Sequence, residues 1–254
     1  MDPNGKVAII SGGASGIGFA TARLLSEHGA RVVLADLQAD LGAKAVKEIE
    51  ASGGEARFLR TDVTSLDEVQ ALLDFASREF GRVDIVHNNA GVSERGDFLS
   101  MAPGQWQRTV AVNLQAVIGA TQLEVQRMRK QGGGGVIVNT ASMGGLVPMP
   151  TNPVYAATKA GVIHFSRSLA YLADEGIRVN AVCPSFTDTP MVRQGEPAAI
   201  DAAFSAMTAE VGGILKPEQI AEGVLQLVRD DSRAGAIARV TVRGGIDYAF
   251  ERRR

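Results

Sequence analysis

Residues 6–18 read KVAIISGGASGIG, a short β-branched run that passes straight into a loop with glycine at 12, 13, 16 and 18. The apolar run fits a buried strand, and the residues after Gly18 take up a helical period. A glycine-rich turn from strand to helix lets the backbone come close to a pyrophosphate. The helix N-terminus then offers free N–H groups and a partial positive charge. Gly12-x3-Gly16-x-Gly18 departs from the common G-x-G-x-x-G spacing. On its own it is also compatible with an ordinary tight turn.

Further along the chain the same unit repeats. Apolar runs at 6–10, 31–35, 56–60, 82–87, 135–140, 177–183 and 236–242 alternate with helical patterns near 16–29, 39–52, 65–80, 104–130, 154–175 and 217–229. In the third helix Leu66, Val69, Leu72, Leu73 and Ala76 recur at three and four residues, an amphipathic stripe. Strand–helix alternation needs crossover connections, and hence a mostly parallel sheet covered on both faces. The expectation is α/β: a single doubly wound, Rossmann-type domain over 1–254 with a seven-stranded sheet. The four-glycine run Gly132–Gly135 reads as a loose turn without function. The long segment 188–216 interrupts the rhythm. It is a substrate lid or a solvated connector, and the lid is favoured.

Composition excludes several classes. With 26 basic and 28 acidic residues the net charge is −2, which is no electrostatic footprint for nucleic acid. No apolar stretch is long enough to span a bilayer, and the acidic N-terminal start is no signal peptide. Cys183 is the single cysteine, so no intrachain disulfide forms and a cytoplasmic location is expected. His28, His87 and His164 lack ligand spacing, so no metal site is readable. The terminal Glu251-Arg252-Arg253-Arg254 reads as a solvated tail.

Two carboxylates support the cofactor reading of the glycine loop. Asp36 ends the second strand, where an acidic side chain can accept from a ribose diol and repel a 2′-phosphate. No basic residue stands at Leu37 or at Ser15 to pair with such a phosphate, so NAD is favoured over NADP. Asp62, before Val63, ends the third strand and is a candidate adenine contact. Either aspartate taken alone could be a cap or turn residue.

In PVYAATKAG (153–161), Tyr155 and Lys159 lie one turn apart on one helix face, about 5.4 Å along the axis. They are a stacked surface pair, or a phenol tuned by a cation. An unperturbed tyrosine, with a pKa of about 10, is a poor base. A neighbouring ammonium would lower that value and let Tyr155 exchange a proton with an alcohol.

Together these residues resemble the short-chain dehydrogenase/reductase family, over about Lys6 to Val242. SGGASGIG is similar to its glycine motif, with Ser11 where threonine is commoner. NNAG (88–91) follows the fourth strand. Asn113, Ser142, Tyr155 and Lys159 match its catalytic residues in order. The resemblance implies that Ser142 hydrogen-bonds the substrate oxygen, Lys159 also binds the nicotinamide ribose, and Asn113 holds a water linked to the lysine. It further implies cofactor contacts from Gly12, Ser15, Gly16, Ile17, Gly18, Asp36, Leu37, Asp62, Val63, Asn89, Ala90, Gly91, Pro184, Thr187 and Thr189. Its usual glycine after Pro184 is Ser185 here, which would be strained if that site needs φ > 0.

Met143, Leu146, Val147, Met149, Phe186 and Met191 suggest an apolar or aromatic secondary alcohol, or are simply core. Asn152 is a candidate second contact to the substrate oxygen. The stretch 142–161 looks somewhat like the prostaglandin dehydrogenase branch. The reading that emerges is an NAD-linked oxidoreductase for a secondary alcohol and its ketone. A 3-ketoacyl-type reductase and a non-catalytic NAD-sensing protein are the alternatives. The family likeness implies a homotetramer packed through 104–130 and 154–175.

Overall fold

The computed structural model describes residues 1–93, 97–102, 104–193, 205–206, 208–209 and 212–250. About half of the expected lid, 188–216, and the terminal arginines lie outside the described residues.

Strands β1 (Val7–Ser11), β2 (Arg31–Asp36), β3 (Glu55–Arg60), β4 (Ile85–Asn88), β5 (Gly135–Thr140), β6 (Ile177–Pro184), β7 (Ile237–Thr241) and β8 (Gly245–Ala249) form one sheet. Its order is β3-β2-β1-β4-β5-β6-β7-β8. The first seven run parallel, and β8 pairs antiparallel to β7. The sheet therefore has eight strands where seven were expected. Gly244-Gly245 between two short β runs is the hairpin signal for the extra strand, and Gly245 takes φ +62° there.

Helices α1 (Gly16–Glu27), α2 (Ala39–Ala51) and α7 (Pro217–Arg229) cover one face; α3 (Leu66–Phe80), α5 (Ala116–Gln131) and α6 (Pro153–Ser168) cover the other. The strand residues alternate between them: Ala8, Ile10, Val32 and Leu34 pack toward α1 and α7, while Val7, Ile9, Val33 and Ala35 pack toward α3 and α5. The stripe of α3 is buried as its spacing requires: Val69, Leu72, Leu73 and Ala76 are each at most 4% exposed. Leu66 stays half exposed, lying over Gly119 of α5, where a Cβ would meet it at 2.5 Å.

The helix expected over 104–130 is broken in character. α4 (Gln105–Val110) passes through a π turn (Ala111–Gln115) before α5. The extra residue of a π turn redirects the side chains within it, and such turns are frequent at functional sites. Asn113 sits in this one.

Between α5 and the sheet lies a buried polar cluster. Glu124, 3% exposed, accepts from Asn88 Nδ2 at 3.0 Å, and the same nitrogen donates to Asn139 at 3.0 Å. Burial pushes the Glu124 carboxyl up to about 8 from an ordinary 4.5, against a smaller opposing pull from Asn88. A raised acid holds an extra proton in the folded state between those values, so stability falls as pH rises from 4.5 to 8. His87 acts below 6.5, where burial pushes it down to about 3 and stability is lost as pH falls. The window from 6.5 to 8 therefore isolates Glu124. Glu124→Gln keeps size and acceptor and is expected to abolish this slope, adding roughly 2–4 kcal/mol at pH 8. Thermal unfolding between pH 6.5 and 8 reads it: wild type should soften and the variant hold level.

Candidate active site

Strand order reverses direction between β1 and β4, and the crevice beyond the carboxyl ends of such strands is where doubly wound sheets bind ligands. The glycine loop enters it from β1. Gly12 and Gly16 adopt φ +61° and +53°, a region that disfavours side chains. Gly18 has a different reason, since a Cβ there would lie 2.1 Å from the Gly12 carbonyl oxygen. The loop can therefore close on α1 only without a side chain at 18. Thr189 leans over it, 3.4 Å from where a Gly16 Cβ would stand.

Asp36, at the end of β2, accepts from the backbone of Ala14 (3.2 Å) and Gln38 (3.0 Å). It thus ties the glycine loop to the strand end, while Leu37 beside it is half exposed. Asp62 accepts from the Thr64 backbone and hydroxyl at 2.9 and 2.7 Å, which hold its carboxyl below the usual range. It is a turn residue in this structure, with Val63 inside that turn. Asn89 donates to the carbonyls of Ser11 (3.1 Å) and Gly12 (3.3 Å), and Ser11 Oγ accepts from the Asn89 and Ala90 backbone. Ser11 therefore ties the glycine loop to NNAG.

Ser142, Tyr155, Lys159 and Asn113 gather beside this crevice. Ser142 follows β5 and caps a short 3-10 turn by accepting from Gly144 N at 3.0 Å, and its hydroxyl lies close enough to the Tyr155 phenol to pull that group's pKa down. Tyr155 stands on α6, where Pro153 opens the helix and Asn152 caps it by accepting from Tyr155 N at 3.4 Å. Lys159 is 3% exposed, donates to the Thr140 carbonyl at 2.7 Å, and lies 5.7 Å from the Tyr155 ring centre. Asn113 is fully buried and exchanges two 2.8 Å hydrogen bonds with the Val92 backbone. A Cβ on Gly91 would stand 3.3 Å from Asn113 Oδ1 and 3.7 Å from Lys159 Nζ. This glycine lets the two approach.

The electrostatics differ from expectation. Burial raises the Tyr155 phenol above its ordinary 10, outweighing the Ser142 hydrogen bond, and the neighbouring Cys183 adds to the rise. Burial also lowers Lys159 to about 8. The lysine ammonium faces Thr140 rather than the phenol oxygen. Desolvation outweighs the expected lowering by lysine. Cys183 is buried and pushed up to about 12, an inert thiol.

Several other expectations sort themselves. Ser185 is not strained: among the described residues only Phe250 combines a side chain with positive φ, and Ser185 N donates to Val240 O at 2.9 Å. The serine fits because this strand end takes an ordinary backbone conformation. Pro184 and Thr187 are buried, with the Thr187 hydroxyl donating to the Ser185 carbonyl at 2.9 Å. Asn152 Nδ2 donates to Ser93 Oγ at 2.9 Å, so both ends of that amide serve the protein itself. Met149 packs on Gly144, and Phe186 and Met191 are partly buried near the glycine loop's cover at Thr189. Met143, Leu146 and Val147 instead line an open cleft of about 660 Å³ with Arg239, Asp247 and Tyr248, which none of the four predicted catalytic side chains enters. Thr140 and Val92 escaped sequence reading because they act through backbone groups, which no side-chain motif reports.

The fold and this cluster define a dinucleotide-binding α/β oxidoreductase with a serine, a tyrosine and a lysine at the carboxyl edge of its sheet. A family model described as short chain dehydrogenase matches residues 6–199, and the chain belongs to that family. It is 37% identical to mouse (Mus musculus) 15-hydroxyprostaglandin dehydrogenase [NAD(+)], covering 98% of this chain and 94% of that protein. It is 39% identical to cis-4-hydroxycyclohexanecarboxylate dehydrogenase of Sinomonas cyclohexanicum, over 94% and 96% of the two chains. A crystal structure of a short-chain type dehydrogenase/reductase from Mycobacterium marinum superposes with TM-score 0.88 at 30% identity, covering 94% and 95%. No helix among the described residues is long and apolar enough to cross a membrane, and no cluster there could hold a metal ion.

Proposed function

We propose that this chain is an NAD-dependent dehydrogenase interconverting an apolar secondary alcohol and its ketone. The observation that carries it is the meeting of the Ser142 and Tyr155 hydroxyls beside the glycine loop, with Lys159 one helical turn behind. NAD bound in the crevice supplies the hydride acceptor. Gly12, Gly16 and Gly18 would give the backbone approach its pyrophosphate needs, and Asp36 would accept from its ribose. The relatives' names, one carrying NAD(+) and both naming hydroxy-compound dehydrogenases, support the same reading.

In this reading Tyr155 moves the proton. Its raised value keeps it protonated near neutral pH, ready to donate to a ketone oxygen; in the other direction it first gives up that proton to solvent, and the phenolate then takes up the alcohol proton. Ser142 steadies the oxygen as charge develops on it. Lys159, fixed by the Thr140 carbonyl, supplies positive potential. Asn113 holds Val92, and with it Gly91, against the lysine. Asn152 positions Tyr155 through the helix cap.

Segment 188–216 is a substrate lid. Its ends are pinched together, with Asp188 N donating to Leu215 O and Leu215 N to Phe186 O, both at 2.8 Å. Trp106 on α4 and Ile118 on α5, 43% and 41% exposed, support homotetramer packing through 104–130 and 154–175; a monomer by light scattering contradicts it. The single buried thiol suits a cytoplasmic protein, which cell fractionation tests.

The cofactor choice is expected to rest on Asp36. Asp36→Ala should raise the KM for NAD at least about tenfold, since one carboxylate serves both the ribose and the Ala14 N–H. Unchanged KM would remove Asp36 from the site. The function itself is tested by a panel of secondary alcohols, among them cyclohexanol, cis-4-hydroxycyclohexanecarboxylate and 15-hydroxyprostaglandins, with NAD and with NADP. Reduced cofactor should appear with NAD and an apolar alcohol. Turnover confined to NADPH and a 3-ketoacyl thioester would favour the reductase reading instead.

A further inference from the structure

His87 is a buried titratable side chain near the crevice that the proposed chemistry leaves unused. It lies on β4 one residue before NNAG, shares the sheet face of Ile85, and is completely buried. Its Nε2 is 2.8 Å from Thr140 Oγ1, and Thr140 Oγ1 is 3.3 Å from Asn89 Oδ1. Asn89 Nδ2 in turn donates to the carbonyls of Ser11 and Gly12.

Donor accounting fixes the direction of this chain. Two carbonyls at Asn89 Nδ2 settle which end of the amide is nitrogen, so Oδ1 faces Thr140. A carboxamide oxygen only accepts, so the Thr140 hydroxyl must donate to it. The same hydroxyl then accepts from His87, whose proton must sit on Nε2. Nδ1 is left as a buried acceptor with no partner among the described residues. An orphaned acceptor is costly, so an apolar residue would serve a purely structural purpose better.

Thr140 is also the residue whose carbonyl receives Lys159 Nζ at 2.7 Å. Its side chain points along the relay to the glycine loop while its backbone anchors the lysine. We infer that His87 is a positioning residue for the cofactor site: its Nε2–H, through Thr140 and Asn89, holds the Ser11 and Gly12 carbonyls and so sets the glycine loop against the dinucleotide. The inference rests on the NAD reading above. It assigns no proton transfer to His87, whose ring stays neutral throughout.

The test is NADH affinity by fluorescence titration, with unfolding temperature measured on cofactor-free protein. His87→Leu should weaken NADH roughly three- to tenfold, the reach of one indirect hydrogen bond, and leave the unfolding temperature within a few degrees. His87→Gln can place an N–H near the Nε2 position and should restore most of the affinity. Thr140→Val cuts the same relay one link on, and adding His87→Leu to it should weaken binding no further. Wild-type affinity in His87→Leu, equal loss in His87→Gln, or additive losses in the double variant would each overturn the inference. If His87→Leu does not fold, His87→Gln and Thr140→Val carry the test: Thr140→Val with wild-type affinity refutes the relay. Wild-type protein that fails to bind NADH refutes the cofactor reading, and the relay with it. Wild type that binds while the variants bind equally well refutes the relay alone.

Discussion

Tyr155→Phe is expected to cut turnover roughly a hundred- to ten-thousand-fold, the range a positioned general acid–base contributes. The substitution removes one oxygen and leaves the ring, so the packing of α6 survives. The phenol is also the neighbour that the Ser142 hydroxyl acts on, so its loss empties the centre of the cluster. The cofactor crevice is built by β1, β2 and β4 and should persist. NAD at a hundred times its Kd should therefore still stabilise the variant by about 2.7 kcal/mol. In a chain of this size that is about 5–10 °C in Tm. A variant with most of its rate would move proton transfer to another group. A variant blind to NAD would mean that Tyr155 matters for binding instead.

The second large effect concerns stability. Arg178, on β6, is 7% exposed, and its guanidinium donates to the carbonyls of Leu227, Val228, Asp230 and Arg233 and to the Asp231 carboxylate. The last turn of α7 leaves carbonyls that the helix itself cannot satisfy, and one planar fork collects them. Burial depresses this guanidinium, while Asp231 and Asp230 pull it back. Arg178→Ala removes the donor and leaves the Leu227 and Val228 carbonyls buried without it, a loss of about 3–5 kcal/mol at roughly 1–3 for each unsatisfied group. Thermal unfolding should fall by about 6–20 °C. Arg178→Lys should recover only part of this, because an ammonium cannot span the same set of carbonyls. A shift of a degree or two in Arg178→Ala would show that water replaces the arginine at the helix end.

The contrast between these residues marks what a sequence can convey. Alternating strands and helices carry period and turn chemistry, so seven parallel strands and the α3 stripe are readable directly. Strand β8 is short, lies beyond the repeating unit and alternates only weakly; its sole signal is Gly244-Gly245. The π turn at Ala111–Gln115 leaves no mark in hydropathy, because one extra residue per turn barely changes the pattern.

At the site, the positions of Gly18, Ser142, Tyr155 and Lys159 are legible, since residue type and spacing report them. The balance between burial and charge at Tyr155 does not follow from spacing. Lys159 stands one turn away as expected, yet its ammonium faces a carbonyl three-dimensionally adjacent and 19 residues distant in sequence. Ser185 teaches the same lesson from the other side: a substitution that looks strained in a motif is ordinary once the backbone angle is known. Glu124 and His87 read as one more helix acid and one more strand histidine. Only packing shows that both are buried.

The central claim is that hydride leaves the carbinol carbon of an alcohol for NAD while Tyr155, as the phenolate, takes the hydroxyl proton. Its most direct test uses the best alcohol of the panel, deuterated at the carbinol carbon, with mass spectrometry of the reduced cofactor. The expected result is deuterated NADH formed by wild type and almost none by Tyr155→Phe. Unlabelled NADH from wild type, or labelled NADH formed equally fast by the variant, would contradict it.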